Sequence, residues 1–308
     1  MSIHLYYKKM FTNRTSLIIP TKNRSEKIIK LINQITSLNL NFNEILVIDS
    51  SEQFHSKKIS FECQLKNIKY YRTKSSTSFQ RNFGMNNMRK NKYVVFMDDD
   101  VILLEDTFAK MNKCIEKFGE DPNIAGFGFN QFEDTKPSFM DNLKSLKIFE
   151  YFDIYPSTPG KIARSGWQSK IINLKKDVVG DWIFTTICVY KTENIKKFQF
   201  DESFGKYSYL EDLDFSLNLM KNNQKIYISS EAKFLHPENI DRSSFKFGIT
   251  EVVNRYKIVK KYKLSQKLFF IGIFFRFGLS ILKSLLLNKN YFLRSLGNIY
   301  SLFILKKQ

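Results

Sequence analysis

Short runs of β-branched and aromatic residues alternate with stretches whose apolar residues recur every three or four positions. This alternation predicts strands joined by amphipathic helices, and so a mostly parallel, doubly wound α/β sheet. The predicted strands are residues 16–20, 44–48, 68–71 and Tyr93–Met97. The first predicted helix has Asn23 or Ser25 as N-cap and places Ile28, Ile32, Ile35 and Leu38 on one face. Two more helices are predicted over residues 78–89 and 106–118.

The second half of the chain has a less regular pattern. Residues 124–129, 183–190 and 232–235 are apolar enough for strands, residues 140–155 are aromatic and predict a helix, and residues 156–160 predict a loop. A further helix is predicted to start at Glu211 and Asp212, because Leu213, Leu217 and Met220 follow at helical spacing.

Composition changes near the C-terminus. The chain has 308 residues, 43% of them hydrophobic, and a formal net charge of +19. Residues 252–308 hold twelve Lys and Arg residues and no Asp or Glu, so the tail carries most of the excess charge. We therefore predict a catalytic domain over residues 1–250 and a basic, apolar helical tail over residues 251–308.

The tail has two interpretations. Residues 268–282 are apolar except for Arg276, which falls short of the ~20 uninterrupted apolar residues of a spanning helix. Short apolar helices with interleaved basic residues are typical of segments that lie in the interface of an anionic membrane. The alternative is a buried C-terminal helix pair. Nucleic acid is not expected as a partner, because the basic residues flank long apolar runs.

Cysteine usage and the N-terminus bear on location. Cys63, Cys114 and Cys188 are odd in number and show no metal-type spacing, which favours a reducing compartment. Residues 1–15 contain no apolar h-region, so no secretory signal is expected. Together with the basic tail, these features predict a cytoplasmic protein, peripheral on the inner face of the cell membrane.

Three consecutive carboxylates, Asp98, Asp99 and Asp100, follow the predicted strand Tyr93–Met97. Neighbouring negative charges repel one another unless water or a cation neutralises them. Carboxylate oxygens suit Mg²⁺ or Mn²⁺, and such ions commonly bridge carboxylates and substrate phosphates. The alternative is a solvated acidic turn.

A second acidic pair, Glu211 and Asp212, stands in the first turn of its predicted helix. There it either complements the helix dipole or supplies a general base that removes a proton from a hydroxyl acceptor. His236 follows a predicted strand and is a candidate nitrogen ligand for a cation bound elsewhere in the site.

Six motifs in this order resemble those of the GT-A-fold family 2 glycosyltransferases, over about residues 14–240. They are Pro20-Thr21-Lys22-Asn23-Arg24, Asp49, Gln80-Arg81-Asn82-x-Gly84, Asp98-Asp99-Asp100, Phe200-Asp201-Glu202-x-Phe204 and Glu211-Asp212. The resemblance implies a Rossmann-like central sheet flanked by helices. It also implies an inverting enzyme that takes a sugar from a UDP-, GDP- or dTDP-sugar with the help of a divalent cation.

The resemblance also implies roles for individual residues. The nucleotide-sugar would be bound by Pro20, Thr21, Asn23, Arg24, Asp49, Arg81, Asp98 and Asp99. The metal would be held by Asp98 and Asp100, with His236 at a position that reaches the metal in some members. Asp212 would be the catalytic base, supported by Glu211.

The chain departs from the family pattern at Ser50-Ser51, and at Thr185-Thr186 where relatives often have glycine. The resemblance favours an acceptor that is a glycan or a lipid-linked intermediate of cell-envelope polysaccharide or glycolipid synthesis. The alternatives are a sugar-phosphate nucleotidyltransferase, which would favour a glycine-rich phosphate loop after the first strand, and a catalytically degenerate membrane-associated adaptor.

Overall fold

The structure is a computed structural model that describes residues 10–134, 143, 146–236, 241–286 and 288–306. The predictions for residues 1–9, most of residues 140–145, Pro237, Leu287 and Lys307 lie outside the described residues. By its internal contacts the chain forms two compact units. Residues 1–133 and 171–237 make up unit 1, and residues 134–170 and 238–308 make up unit 2.

Unit 1 is built on a sheet of nine strands among the described residues. The strands are β1 Thr15–Thr21, β2 Glu44–Asp49, β3 Lys69–Arg72, β4 Tyr93–Met97, β5 Ile102–Leu103, β6 Ile124–Gln131, β7 Val178–Gly180, β8 Ile187–Lys191 and β9 Lys225–Leu235. Their order is β3-β2-β1-β4-β8-β6-β9-β5, with β7 paired to β9. The first four strands are parallel, whereas β8 enters antiparallel between β4 and β6.

Four of the six helices that the described residues of unit 1 form were predicted from the sequence, and two, over residues 53–65 and 192–195, were not. The six are α1 Ser25–Ser37, α2 Gln53–Leu65, α3 Thr77–Asn87, α4 Thr107–Phe118, α6 Thr192–Ile195 and α7 Glu211–Lys221. Ile28, Ile32 and Ile35 of α1 are buried as predicted. The N-cap of α1 is Arg24, so the predicted caps Asn23 and Ser25 were each one residue away from it.

Alternate residues of the central strands serve the two faces of the sheet, because side chains along a strand point to opposite sides. Leu17, Val47 and Val95 belong to one core with residues of α1, α2 and α4. On the opposite face, the ring of Phe96 packs on Phe200, and Phe200 stacks on Phe215 of α7. A Cβ on Gly84 of α3 would lie 2.6 Å from Ile18 of β1, so this glycine lets α3 approach the strand closely.

Two strand predictions were displaced. The apolar run 183–190 forms a strand only from Ile187 to Lys191, because residues 182–186 connect to the site as irregular chain. The strand predicted over residues 232–235 begins earlier, at Lys225.

Unit 2 contains α5 Lys147–Tyr151, α8 Phe245–Lys261, α9 Gln266–Leu286 and α10 Tyr291–Leu305. Its apolar centre joins Trp167 with Val252 and Val259 of α8 and with Phe269 and Ile273 of α9. Residues 134–170 therefore share a unit with the C-terminal helices. The division into a catalytic domain and a tail at residue 250 concerns function and stays a prediction.

Candidate active site

The three aspartates lie where β4 ends, at the edge of the sheet that also holds the ends of β1 and β2. The parallel register pairs Thr21 with Asp49 and places β4 on the other side of β1. The backbone N–H of Asp98 donates to the carbonyl of Thr186 at 2.8 Å, which ties the acidic segment to the chain before β8. The carboxyl ends of parallel strands are the usual ligand-binding edge of such sheets.

Asp99 is turned into the protein. Its Oδ2 accepts a hydrogen bond from the Thr21 hydroxyl at 2.6 Å, and its Oδ1 accepts one from Arg24 at 3.1 Å. Burial raises the pKa of Asp99 to about 6, against the opposing effects of Thr21 and Arg24. Asp99 therefore joins the ends of β1 and β4 and positions Arg24.

Asp100 is surrounded by positive groups. Its Oδ2 lies 2.7 Å from Arg24 and 3.9 Å from Lys27, and its Oδ1 lies 3.0 Å from Nε2 of His236. Burial acts to raise the pKa of Asp100, but His236, Arg24 and Lys27 outweigh it and hold this pKa below its ordinary value. Burial acts to lower the pKa of His236, and the hydrogen bond and charge of Asp100 outweigh it and raise this pKa.

The predicted metal ligands are brought to one edge, but they do not form a closed cage. Across the described ranges, no three His, Cys, Asp or Glu side chains are grouped so that they could hold a metal ion. His236 contacts Asp100, whereas Oδ1 of Asp98 accepts a hydrogen bond from Arg81 at 2.8 Å. Carboxylate oxygens and an imidazole nitrogen are donor types that suit a divalent cation. In the structure Arg24 pairs with Asp100 and Arg81 pairs with Asp98.

Arg81 is the link between the two acidic sites. Its side chain is 2% exposed, and it pairs with Asp98 through one terminal nitrogen and with Glu211 through the other. We predicted a contact between Arg81 and the nucleotide, and this stays a prediction; in the structure both ends of the guanidinium pair with carboxylates of the protein. Arg81 thereby holds the start of α7 against the end of β4.

The two acidic residues at the start of α7 have different environments. Glu211 is buried, and besides Arg81 it accepts hydrogen bonds from Thr185 at 3.2 Å and Ser78 at 3.3 Å. Burial raises the pKa of Glu211 to about 7, with the charge of Arg81 opposing it. Asp212 is partly exposed, and its Oδ1 accepts a hydrogen bond from the N–H of Leu213 at 2.8 Å. Asp212 is thus the more exposed carboxylate of the two, and its role as the base stays a prediction.

The residue before this pair is strained. Leu210 is buried and adopts a left-handed conformation, with φ of 74° and ψ of 14°. Such a backbone is uncommon for a branched residue and is often found at functional sites. It sets the direction in which Glu211 and Asp212 leave the loop.

The predicted nucleoside residues differ in accessibility. Asp49 is fully buried, and its carboxylate accepts hydrogen bonds from Ser51, Ser56 and Tyr70. These hydrogen bonds hold the start of the loop after β2, and the predicted contact of Asp49 with the nucleoside stays a prediction. Pro20 is buried within β1, and the hydroxyl of Thr21 donates its hydrogen bond to Asp99.

Of the predicted nucleotide-binding residues in the first motif, Asn23 and Arg24 are partly exposed. Asn23 has a φ of 55°, its N–H donates to Ser51 at 2.6 Å, and its side-chain oxygen accepts from Glu52 at 2.8 Å. These two bonds join the loops after β1 and β2 into one wall. The side chain of Arg24 is 36% exposed.

Sequence reasoning missed the polar residues that brace this wall. Gln80 donates to the carbonyls of Thr21 and Ile48, and Asn82 exchanges hydrogen bonds with the backbone of Phe200. The signal was available, because Ser78, Gln80, Arg81 and Asn82 interrupt the apolar periodicity of α3, and all four are buried. A buried polar face on a helix indicates hydrogen bonding to neighbouring segments.

The glycosyl transferase family 2 profile matches residues 16–174, slightly more than half of the chain. The chain belongs to this family. The matched range includes the Asp98 site and Arg81, and the family shows that the protein is a glycosyltransferase. This membership confirms the predicted GT-A fold class and decides against the nucleotidyltransferase alternative. No curated protein sequence matches the chain significantly.

Several solved structures share the fold. The mannosyltransferase PcManGT from Pyrobaculum calidifontis, in complex with GDP-Man and Mn²⁺, is 14% identical with a TM-score of 0.55, over 94% of this chain and 75% of its own. Glucosyl-3-phosphoglycerate synthase from Mycobacterium tuberculosis, in complex with Mn²⁺, UDP and phosphoglyceric acid, is 10% identical with a TM-score of 0.53. That match covers 82% of this chain and 79% of the synthase. At these identities the likeness is one of fold.

Proposed function

We propose that this glycosyltransferase moves a sugar from a UDP-, GDP- or dTDP-sugar to a hydroxyl of a glycan or lipid-linked acceptor, with inversion and with the assistance of Mg²⁺ or Mn²⁺. The acceptor class places the protein in cell-envelope polysaccharide or glycolipid synthesis, peripheral on the cytoplasmic face of the membrane. Family membership and the two acidic sites support the transfer, and the basic, apolar C-terminal helices support the location.

One observation carries the proposal. The buried guanidinium of Arg81 touches Asp98 at the end of β4 and Glu211 at the start of α7. It therefore holds the carboxylates suited to a diphosphate-bound cation in a fixed relation to Asp212. A direct displacement needs this pairing of leaving-group stabilisation and an acceptor base.

Each residue then has one task. Asp98, Asp100 and His236 would hold the divalent cation, which when bound supplies positive charge next to the diphosphate leaving group. Arg24 and Asn23 would contact the donor from the wall after β1, and Asp99 would keep Arg24 in place. Asp212 would accept the proton from the attacking hydroxyl, and Glu211 would stay inside as its support.

Asp100→Asn tests the cation site. We expect UDP, GDP or dTDP to bind more tightly to the wild type when Mn²⁺ is present, and this gain to disappear in the variant. Isothermal titration calorimetry with and without Mn²⁺ measures it. Asp106→Asn, an exposed change at the start of α4, is the matched control and should keep the gain. An unchanged Mn²⁺ effect in Asp100→Asn would remove Asp100 from the site.

Asp212→Asn tests the base. The variant should keep nucleotide affinity and lose at least about 10²-fold in transfer rate, because the acceptor proton has no carboxylate to receive it. Asp106→Asn again serves as control. Near-normal turnover in Asp212→Asn would assign the base to another residue.

A further inference from the structure

The outer surface of α10 has the reverse of the usual distribution of side chains. Five of its apolar residues are between 42% and 62% exposed and share one face: Phe292, Leu293, Leu296, Tyr300 and Phe303. Four of its six buried residues are small or polar, namely Ser295, Gly297, Asn298 and Ser301, and the other two are Arg294 and Leu305. A helix in water buries its apolar stripe, whereas helices in lipid place small and polar residues at helix contacts.

The contact between α8 and α10 has this lipid-type character. A Cβ on Gly297 would lie 2.2 Å from the carbonyl of Phe245, and one on Gly248 would lie 2.4 Å from the carbonyl of Arg294. The two backbones therefore touch through glycines. Close backbone approach through small residues is typical of helix contacts in membranes.

The helix α9 continues the exposed apolar surface. Ile271, Phe274 and Leu285 lie on one stripe and are 41%, 59% and 77% exposed. Among the described residues, α9 is the one helix whose length and composition would allow it to cross a membrane. Its 21 residues extend about 31 Å.

Charges on α9 argue against a crossing orientation. Arg276 lies at its midpoint, and its Nε is 3.0 Å from Glu251 of α8. The same carboxylate is 2.8 Å from NH2 of Arg294 of α10, and Glu251 is 1% exposed. A crossing α9 would take Arg276 to the middle of the bilayer, which is costly, or would have to break this cluster.

Basic residues at both ends of α9 also argue against a crossing orientation. Lys263 and Lys267 lie near its start, and Lys283 and Lys289 lie near its end. A crossing helix would have to carry one of these groups to the far side, against the preference for basic residues on the cytoplasmic side. A helix lying along the surface places both groups among anionic headgroups.

We propose that α8, α9 and α10 form a monotopic membrane-binding unit. The exposed apolar faces of α9 and α10 lie in one leaflet of an anionic bilayer, and the cluster of Glu251, Arg276 and Arg294 holds α9 along the surface. This deepens the membrane association of the proposed function and rests on it, while sugar transfer itself is tested separately.

Vesicle flotation of the full chain tests the surface. We expect binding to vesicles of phosphatidylcholine with phosphatidylglycerol and much weaker binding to phosphatidylcholine alone. Phe303→Glu should weaken binding at least tenfold, because it puts a charge into the apolar face. Phe61→Glu on α2 is the matched control, since Phe61 is 63% exposed and Phe303 is 62% exposed. Equal binding by Phe303→Glu and wild type would overturn the proposal.

Thiol labelling tests the orientation. Cys63, Cys114 and Cys188 are buried, so new cysteines at Lys267 or Lys289 can be labelled selectively. In a bacterial host, an impermeant maleimide should label neither Lys267→Cys nor Lys289→Cys in intact spheroplasts, and both after lysis. Labelling of one of them in intact spheroplasts would show a crossing helix and overturn the proposal.

A paired substitution tests the ionic cluster. Glu251→Leu with Arg276→Leu removes the ion pair between α8 and α9 and leaves α9 without a charged side chain between Lys267 and Lys283, so a fraction of Lys289→Cys should become labelled in intact spheroplasts. If Lys289→Cys stays unlabelled in intact spheroplasts, the proposal that the cluster holds α9 along the surface is wrong. Release of nucleotide from the donor in solution, without vesicles, should be unaffected by Phe303→Glu. A loss of membrane binding is thereby distinguished from a failure of the proposed transfer.

Discussion

Arg81 offers the sharpest perturbation of the active-site architecture. Its guanidinium is 2% exposed and pairs with Glu211, whose side chain is 7% exposed. Arg81→Leu would leave the Glu211 carboxylate buried without this partner. Breaking a buried ion pair from one side costs about 3–5 kcal/mol. Asp98, which is 30% exposed, can recover hydration and adds less.

The expected loss is large enough to measure by urea unfolding. The two tryptophans report different units, because Trp182 lies in unit 1 and Trp167 in unit 2. In a Trp167→Phe background, Trp182 fluorescence should follow the unfolding of unit 1. A cost of 3–5 kcal/mol corresponds to a decrease in Tm of about 6–20 °C for a domain of this size.

Two comparisons make this prediction specific. Lys74→Leu breaks an exposed pair with Glu202, and should cost under about 1 kcal/mol. Arg81→Leu combined with Glu211→Leu removes both charges, and should be less destabilised than Arg81→Leu alone. A loss under about 1 kcal/mol in Arg81→Leu would refute the assignment of Arg81 as a buried link. A double variant as unstable as the sum of its single changes would refute it equally.

Three further predictions concern the same unit. Because the folded-state pKa of Glu211 is raised to about 7 from 4.5, its contribution should make the wild type lose stability as pH rises from about 4.5 to 7. Glu211→Gln should lack that part of the slope in urea unfolding at several pH values, and an identical slope would contradict the raised pKa. Gly84→Val should cost about 1–3 kcal/mol, because its side chain would meet Ile18, and an unchanged Tm would argue against the close contact. EDTA should abolish sugar transfer and excess Mn²⁺ should restore it; transfer that persists in EDTA would exclude an essential cation.

The first half of the fold was predictable because its strands are continuous apolar runs. The strand Tyr93–Met97 was predicted with its observed bounds. The N-cap predicted for the helix after β1 was one residue away from the observed N-cap, Arg24. The helix α2 was missed because its buried face is weakly apolar, with Ser56, Ile59 and Cys63 inside and larger apolar residues outside. The spacing of apolar residues along this helix does not indicate that its larger apolar side chains are exposed.

The site was predictable as a set of residues but not as a set of contacts. Asp98, Asp100 and Asp212 belong to motifs that the sequence shows, and the structure places them at the end of β4 and the start of α7. The pairing of Arg81 with Glu211 spans 130 positions in sequence, and the burial of Asp49 depends on Tyr70 of the neighbouring strand. Such contacts depend on how distant segments pack around the sheet, and a short sequence motif carries no information about that packing.

The central claim is that this protein transfers a sugar from a nucleotide-sugar at the site formed by Asp98, Asp100 and Asp212. Its most direct test is a panel of UDP-, GDP- and dTDP-sugars incubated with the full chain and Mn²⁺, with release of the nucleoside diphosphate as the readout. The account predicts that at least one donor is consumed in a Mn²⁺-dependent reaction, and that Asp100→Asn abolishes this consumption while Asp106→Asn leaves it intact. Consumption that is equal in Asp100→Asn and wild type, or none with any donor, would contradict it.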